Sequence, residues 1–259
     1  MSAPLALEDA TLGYTGRTVL ENATLEIPGS RRVALLGRNG SGKSTLLRTL
    51  AGIQRPICGR VTCEGKDIGL VGPTTRGRRI AYLPQQVSPE IPFTVFEVVL
   101  MGRYPHRGIS LFSSAEDRRI VSHVLEETGL TDLGQKKCTE LSGGEFQRVL
   151  VASILAQQAP IMLLDEPTAS LDLHHRSSIL SMTGEEGERT VVIATHDLNL
   201  AAAHCGWVVV LDGKGGFIDG PTEEILTEPL VAETFGIEVQ AVQVDLPSGG
   251  KRRQFVVTS

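Results

Sequence analysis

The sequence predicts an α/β fold: a core of parallel strands and helices, preceded by antiparallel strands and interrupted by a helical insertion. Three observations carry that prediction. The runs Arg32 to Leu36, Ile161 to Leu164 and Thr190 to Ala194 are short and mostly apolar, as strands buried on both faces of a parallel sheet are. From Arg32 to Leu50 a strand, a glycine-rich turn and a helix with leucines at 46, 47 and 50 follow one another. After residue 85 the apolar spacing changes from the period of strands to that of helices, and it changes back near residue 160.

Each element has its local reason. Leu5 to Ile27 alternates short apolar runs with Gly13, Gly16 and Asn22 and turns at Pro28-Gly29, which predicts antiparallel strands. The turn Gly37-Arg38-Asn39-Gly40-Ser41-Gly42-Lys43-Ser44 matches the phosphate-binding pattern G-x-x-x-x-G-K-[ST] in full. Glycines at 37, 40 and 42 let backbone N–H groups curl around phosphate oxygens, and the following helix points its positive end at them. Lys43 is placed to contact the β- and γ-phosphates and Ser44 to offer its hydroxyl to Mg²⁺. Tyr14, upstream, reads equally well as a strand aromatic or as a ring able to stack on a base.

Beyond Gly52, Val61, Cys63 and Ile68 suggest a weak hairpin, Gly72 to Arg78 a loop, and Ile80 to Leu83 a strand ending at Pro84-Gln85-Gln86. Thr94 with Glu97 forms a capping box ahead of Val95, Val98 and Val99, and the segment runs out through Gly102-Arg103-Tyr104-Pro105-His106. Ser113 with Glu116 opens a second helix, carrying Ile120, Val121, Val124 and Leu125 on one face and stopping at Gly129. Leu141-Ser142-Gly143-Gly144-Glu145 leads into a third, which ends before Pro160. Two glycines at a helix start are costly without a purpose, and one purpose is a second anion-receiving surface made by Ser142 and the glycine N–H groups. A plain N-cap is the other.

Ile161 to Leu164 delivers Asp165-Glu166 at its carboxyl end, where open parallel sheets place their ligands. Asp165 suits Mg²⁺ and its waters; Glu166 suits a general base acting on an attacking water. Thr190 to Ala194 delivers His196 in the same manner, which favours function over the structural role of an ordinary histidine. His123, His174, His175 and His204 take that ordinary role. Trp207 to Leu211 and Phe217 to Asp219 predict a closing hairpin, Pro221 onward short helices before Gly236, and Lys251-Arg252-Arg253 a solvated tail.

Composition narrows the class. A chain of 259 residues with 41% hydrophobic content can bury a large core, and no apolar run approaches the roughly 18 residues of a membrane span. The start has neither a basic nor a long apolar segment, so a cytoplasmic location is expected. Cys58, Cys63, Cys138 and Cys205 are scattered, which favours reduced thiols. The formal charge of −5 offers nucleic acid no overall attraction, and Arg76, Arg78 and Arg79 read as a solvated loop.

In this order the motifs resemble the ATP-binding subunits of ABC transporters along nearly the whole chain. The resemblance implies a P-loop NTPase (RecA-like) core with an N-terminal antiparallel β subdomain, at about 1–85 and 160–220, and an inserted α-helical subdomain at about 86–159. A C-terminal extension of about 221–259 follows. It implies ATP and Mg²⁺ as cofactors. Tyr14 becomes the base-stacking residue; Gly37, Asn39, Gly40, Ser41, Gly42, Lys43, Ser44 and Thr45 become the Walker A loop. Ser142, Gly143, Gly144 and Glu145 become the signature, with Glu145 where many relatives carry glutamine. Glu166, His196 and Gln85 become catalytic, and Ser44, Gln85 and, through water, Asp165 become the Mg²⁺ residues. Ser170-Leu171-Asp172 resembles the D-loop.

The implied partners are a second copy in an ATP-sandwich dimer, membrane-spanning permease subunits and, indirectly, an extracytoplasmic substrate-binding protein. The implied place is the inner face of the cell membrane. Val99 to His106 and Phe235-Gly236-Ile237 are similar to the ATPases that import iron-siderophore, haem or cobalamin. The alternative is a soluble ABC-type ATPase without a permease, such as an iron–sulfur assembly scaffold. A non-enzymatic nucleotide-binding module is a third reading, against which the Asp165-Glu166 pair argues.

Overall fold

The computed structural model describes residues 3–107, 113–168, 179–184, 187–245 and 251–258. In chain order, β1 (Leu5–Tyr14) and β2 (Arg17–Ile27) form an antiparallel hairpin, and β3 (Arg32–Leu36) enters the glycine-rich turn that α1 (Lys43–Leu50) leaves. Then come β4 (Cys58–Cys63), β5 (Lys66–Asp67), α2 (Pro73–Gly77) and β6 (Ile80–Leu83). The helices α3 (Val95–Met101), α4 (Ala115–Glu127) and α5 (Gly143–Ala156) precede β7 (Ile161–Asp165) and β8 (Thr190–Ala194). The chain continues through α6 (Leu198–His204), β9 (Trp207–Leu211), β10 (Phe217–Pro221), α7 (Thr222–Ile225), α8 (Glu228–Phe235), β11 (Val239–Asp245) and β12 (Lys251–Val257).

Two compact units result, residues 1–69 with 186–259 and residues 70–185. In the first, β2, β1, β4 and β5 make an antiparallel sheet. Its inner face follows the period of two: Ala23, Leu25 and Ile27 are buried while Thr24 and Glu26 are exposed. Also in this unit, β3 lies between β8 and β9, parallel to both, and β10 pairs antiparallel with β9. Every residue of β8 is buried, which explains its unbroken apolar run. In the second unit β6 pairs in parallel with β7, and α3, α4 and α5 pack together. The division thus falls at 69/70 and 185/186, with β6 and β7 in the unit that holds the helices.

A buried arginine explains the helix packing. Arg103 is 5% exposed; its Nε donates to Asp117 Oδ1 at 3.0 Å and its Nη1 donates to the carbonyl of Ala156 and to Gln158 Oε1, both at 2.8 Å. Asp117 is held charged, below its ordinary pKa, because the bonds from Arg103 and Ser114 outweigh the cost of burial. This pairing also sets the start of α4. The capping box is Ser114 with Asp117, one residue beyond the expected Ser113 with Glu116, since only Asp117 can satisfy both Arg103 and the helix end. Glu116 turns to Arg119 instead. The box at Thr94 and Glu97 forms as expected.

Two other expectations change. Gly72 to Arg78 is not an open loop: Pro73 starts the short α2, and Arg78 donates to the carbonyl of Pro105. The basic tail is not loose: Arg252 and Arg253 lie in β12, paired with Val244 and Gln243 of β11. The D-loop positions Ser170-Leu171-Asp172, with His174 and His175, fall outside the described residues.

Candidate functional site

The phosphate loop is shaped by its own surroundings. Gly37, Gly40 and Gly42 have φ of 149°, 79° and 107°, in the region that favours glycine. At Gly42 a Cβ would overlap Val19 of β2, and at Gly37 it would sit 2.5 Å from Ser41 Oγ. Lys43 is 6% exposed, and its ammonium donates to the carbonyls of Gly37 at 2.8 Å and Arg38 at 3.3 Å. Those carbonyls hold the charge at the loop instead of letting it swing into solvent. Ser41 and Thr45 are buried, Ser44 is half-buried, and Asn39 is exposed. Buried cation, glycine cradle and helix start together fit the polyphosphate of a nucleotide.

Tyr14, 48% exposed, ends β1 beside this loop. Its hydroxyl oxygen accepts from Thr45 Oγ1 and Arg48 Nη1, each at 3.2 Å. Anchored at its tip, the ring has an open face on which a base could stack. Two contributors escape a reading of the sequence alone. Arg17 Nη2 donates to the carbonyl of Gly40 at 2.9 Å and so braces the outer side of the loop. Arg48 fixes Tyr14. No motif marks either, because both act across gaps of more than 20 residues that only the strand register closes.

His196 belongs to the same unit. It stands exposed just past β8, whose Ala194 is in register with Leu35 of β3, and the N–H of Thr195 donates to the carbonyl of Leu35 at 3.1 Å. That places the histidine at the strand end from which the phosphate loop departs. Asp197, next to it, caps α6 by accepting from the N–H of Leu200 at 2.9 Å.

The second unit carries the remaining candidates. Asp165 is 1% exposed at the end of β7, with Tyr82 donating to its Oδ2 at 3.5 Å. Glu166, half-buried, has φ of 50°, an uncommon conformation for a residue with a side chain and the kind of strain that gathers at active sites. Gln147 of α5 donates to the carbonyl of Pro167 at 2.9 Å, tying α5 to the turn that holds Glu166. Gln85 lies exposed beyond β6.

Ser142 is the N-cap of α5. Its backbone N–H and its hydroxyl donate to Glu145 Oε2 at 2.8 Å and 2.7 Å, and the N–H of Glu145 is directed back at Ser142 Oγ at 3.3 Å. Those bonds from Ser142 keep the Glu145 carboxyl below its ordinary pKa. Gly143, at the first position of the helix, is exposed, and a Cβ there would meet nothing within 4 Å. Packing therefore does not require this glycine. Among the described residues no group of three or more His, Cys, Asp or Glu could hold a metal, so an ion here would rest on mixed oxygen donors and water.

Comparison with known proteins agrees with this geometry. The family model described as ABC transporter matches residues 20–169. The chain is 38% identical over 251 residues to the ferric enterobactin transport ATP-binding protein FepC of Escherichia coli K12, covering 96% of this chain and 92% of that protein. It is 40% identical over 238 residues to the cobalamin import ATP-binding protein BtuD of Halobacterium salinarum, covering 90% of this chain and 59% of that protein. A solved structure described as an inward-facing metal-chelate type ABC transporter superposes with a TM-score of 0.86 at 29% identity, covering 100% of this chain and 98% of its own. A dimeric ATP-binding cassette bound to ADP and Pi in a post-hydrolysis state superposes at 0.73, also at 29% identity, over 84% of this chain and 98% of its own.

Proposed function

We propose, from the premise that this chain belongs to the ABC transporter family, that it is the subunit whose ATP hydrolysis powers import of a metal chelate or corrinoid through a membrane-spanning permease. The family's ATP-binding subunits are ATPases, and this domain binds ATP. One observation carries the enzymatic reading: a complete phosphate loop with a buried lysine occurs in the same chain as a strained Glu166 directly after the buried Asp165.

Roles follow from chemistry. Tyr14 stacks on the base. The backbone amides of Gly40 to Thr45 and the Lys43 ammonium hold the phosphates and offset negative charge that builds during transfer. Glu166 takes the proton of the attacking water, and His196 orients the γ-phosphate. The Ser44 hydroxyl, the Asp165 carboxylate and the Gln85 amide oxygen are hard oxygen donors, the kind Mg²⁺ prefers while keeping several waters. That ion, when bound, supplies charge neutralisation on the phosphate oxygens. The helix start at Ser142, Gly143 and Gly144 receives the γ-phosphate of ATP bound to a second copy of the chain, with Glu145 closing the cap. ATP then bridges two molecules and its hydrolysis removes the bridge.

No helix among the described residues is long and apolar enough to cross a membrane. In this reading the chain docks on permease subunits at the inner face of the membrane, and an extracytoplasmic binding protein delivers cargo to that permease. The curated relatives that support this are ATP-binding proteins of ferric enterobactin transport in one case and of cobalamin import in another. None of those named above supports the alternative of an ATPase without a permease.

The test is Glu166→Gln. Removing the base and leaving the clamp should lower turnover about 10²- to 10⁴-fold while ATP still drives dimer formation on a sizing column. Near-normal hydrolysis in that variant would refute the role. For the cargo, the chain reconstituted with its permease in vesicles should show ATPase activity stimulated by a ferric siderophore, haem or cobalamin. Failure to co-purify with any polytopic membrane protein would sink the transport assignment.

A further inference from the structure

We propose that a cavity of about 270 Å³ between α6, α7 and the β11–β12 hairpin is a binding site for a small organic anion bearing a carboxylate or phosphate group, with Arg252 as its principal ligand. This inference does not depend on the ATPase reading.

The charges lining the cavity are unequally satisfied. Arg253 is committed: its Nη1 donates to the carbonyls of Glu223 at 2.9 Å and Leu226 at 3.2 Å, joining β12 to the end of α7. Arg252 is half-buried in the same wall, yet among the described residues its side chain makes neither a hydrogen bond nor an ion pair. Its charge is felt by His204, more than half buried at the end of α6. Burial, then Arg252, then Arg32 push that imidazole below its ordinary pKa, with Asp197 pulling the other way. Among the described residues of the lining, Glu223 is the one carboxylate, and it is exposed. A guanidinium offers five donors in a planar fork suited to carboxylate or phosphate, and keeping it half out of water without a counter-ion is costly.

The rest of the wall suits a compact ligand. Ala202, Ala203 and Leu226 give apolar sides, and the Gln243 amide supplies a further polar group. The volume is about that of nine liquid waters, enough for a small polycarboxylate or a phosphate ester. The hairpin is also fastened to α6: Asn199 Nδ2 donates to the carbonyl of Phe255 at 3.1 Å, and the N–H of Phe255 donates to Asn199 Oδ1 at 2.7 Å. An occupant would therefore brace the helix that begins beside His196.

Citrate and inorganic phosphate, titrated calorimetrically into the full chain, are the probes, with Arg252→Gln, Arg252→Lys and Lys43→Ala as the variants. At least one probe should bind the native chain. Arg252→Gln should weaken it about tenfold to a hundredfold, Arg252→Lys less, and Lys43→Ala not at all. Citrate binding alone or phosphate binding alone supports the site and selects its head group. Binding lost in Lys43→Ala but kept in Arg252→Gln overturns the proposal, because the anion then sits on the phosphate loop. So does silence from both probes at millimolar concentration. A readout on the native chain guards against a variant that fails to fold: the NMR-detected pKa of His204 should rise when the anion binds, since its charge offsets that of Arg252. An unmoved His204 would count against the site.

Discussion

The phosphate loop and the signature turn are both glycine-rich entrances to a helix, and the chain treats them in opposite ways. Gly42 is demanded from inside, because Val19 occupies the space a side chain would need. Gly143 faces open space. The Lys43 ammonium is held by two carbonyls of its own loop, whereas Ser142 is exposed and bonded to Glu145, its neighbour on the same helix turn. The first turn is complete within one molecule. The second keeps a clearance at Gly143 that no described residue fills, as half of the proposed intermolecular contact would before its partner arrives.

The largest expected effect breaks the first region. Gly42→Ala must place a side chain at φ of 107° and into Val19. The left-handed conformation costs about 1–2 kcal/mol and forced overpacking typically a further ~1–3 kcal/mol. The melting temperature should fall and ATP binding should be lost together. Gly143→Ala is the matched test of the second region. Stability should stay within about 1 kcal/mol, even rising, since alanine is the better helix former. ATP-driven dimerisation and turnover should nevertheless drop, because the added methyl stands where the second molecule's phosphate is to approach. Native turnover in Gly143→Ala would end the claim that this turn is half a site.

A smaller effect belongs to Tyr14. Tyr14→Ala should raise the Kd for ATP about 2- to 12-fold with little change in the rate of the chemical step, as expected for a lost stacking worth ~0.5–1.5 kcal/mol. Tyr14→Phe, which loses only the bonds from Thr45 and Arg48, should lie between it and the native chain. An unchanged affinity in Tyr14→Ala would remove the stacking assignment.

These contrasts also show what a sequence can carry. The strands that became β3, β7 and β8, the box at Thr94 and the N-cap at Ser142 were legible because each rests on a local pattern: an apolar run, or a capping residue at a helix start. That Glu145 completes a box with Ser142 was not read. The start of α4 slipped by one residue because Ser113-Ser114 and Glu116-Asp117 offer two boxes, and the choice lies with the distant, buried Arg103. The β11–β12 hairpin was missed for a similar reason. Its strands are mostly exposed or half-exposed and weakly patterned, and it is held by Asn199 and Phe255, 56 residues apart. Gly102 and Arg103 looked like parts of a family motif. The structure gives them packing duties, since a Cβ at Gly102 would run into the carbonyl of Ser153.

The smallest effect sharpens the comparison at its most delicate point. Glu145 places a carboxylate at the very helix start proposed to receive a phosphate. Ser142 depresses its pKa below the ordinary 4.5, so the capping box contributes fully above that value and is lost as pH falls through the lower folded one. At neutral pH the group is therefore charged and the helix end is already partly neutralised. Glu145→Gln keeps both capping bonds and removes the charge. A helix-terminus charge is worth about 0.3–1 kcal/mol, so ATP-driven dimerisation should tighten roughly 2- to 5-fold, and the acid limb of the stability profile should shrink. Tighter dimerisation that vanishes in high salt would identify the effect as electrostatic; weaker dimerisation would mean that the carboxylate itself takes part in holding the partner's nucleotide.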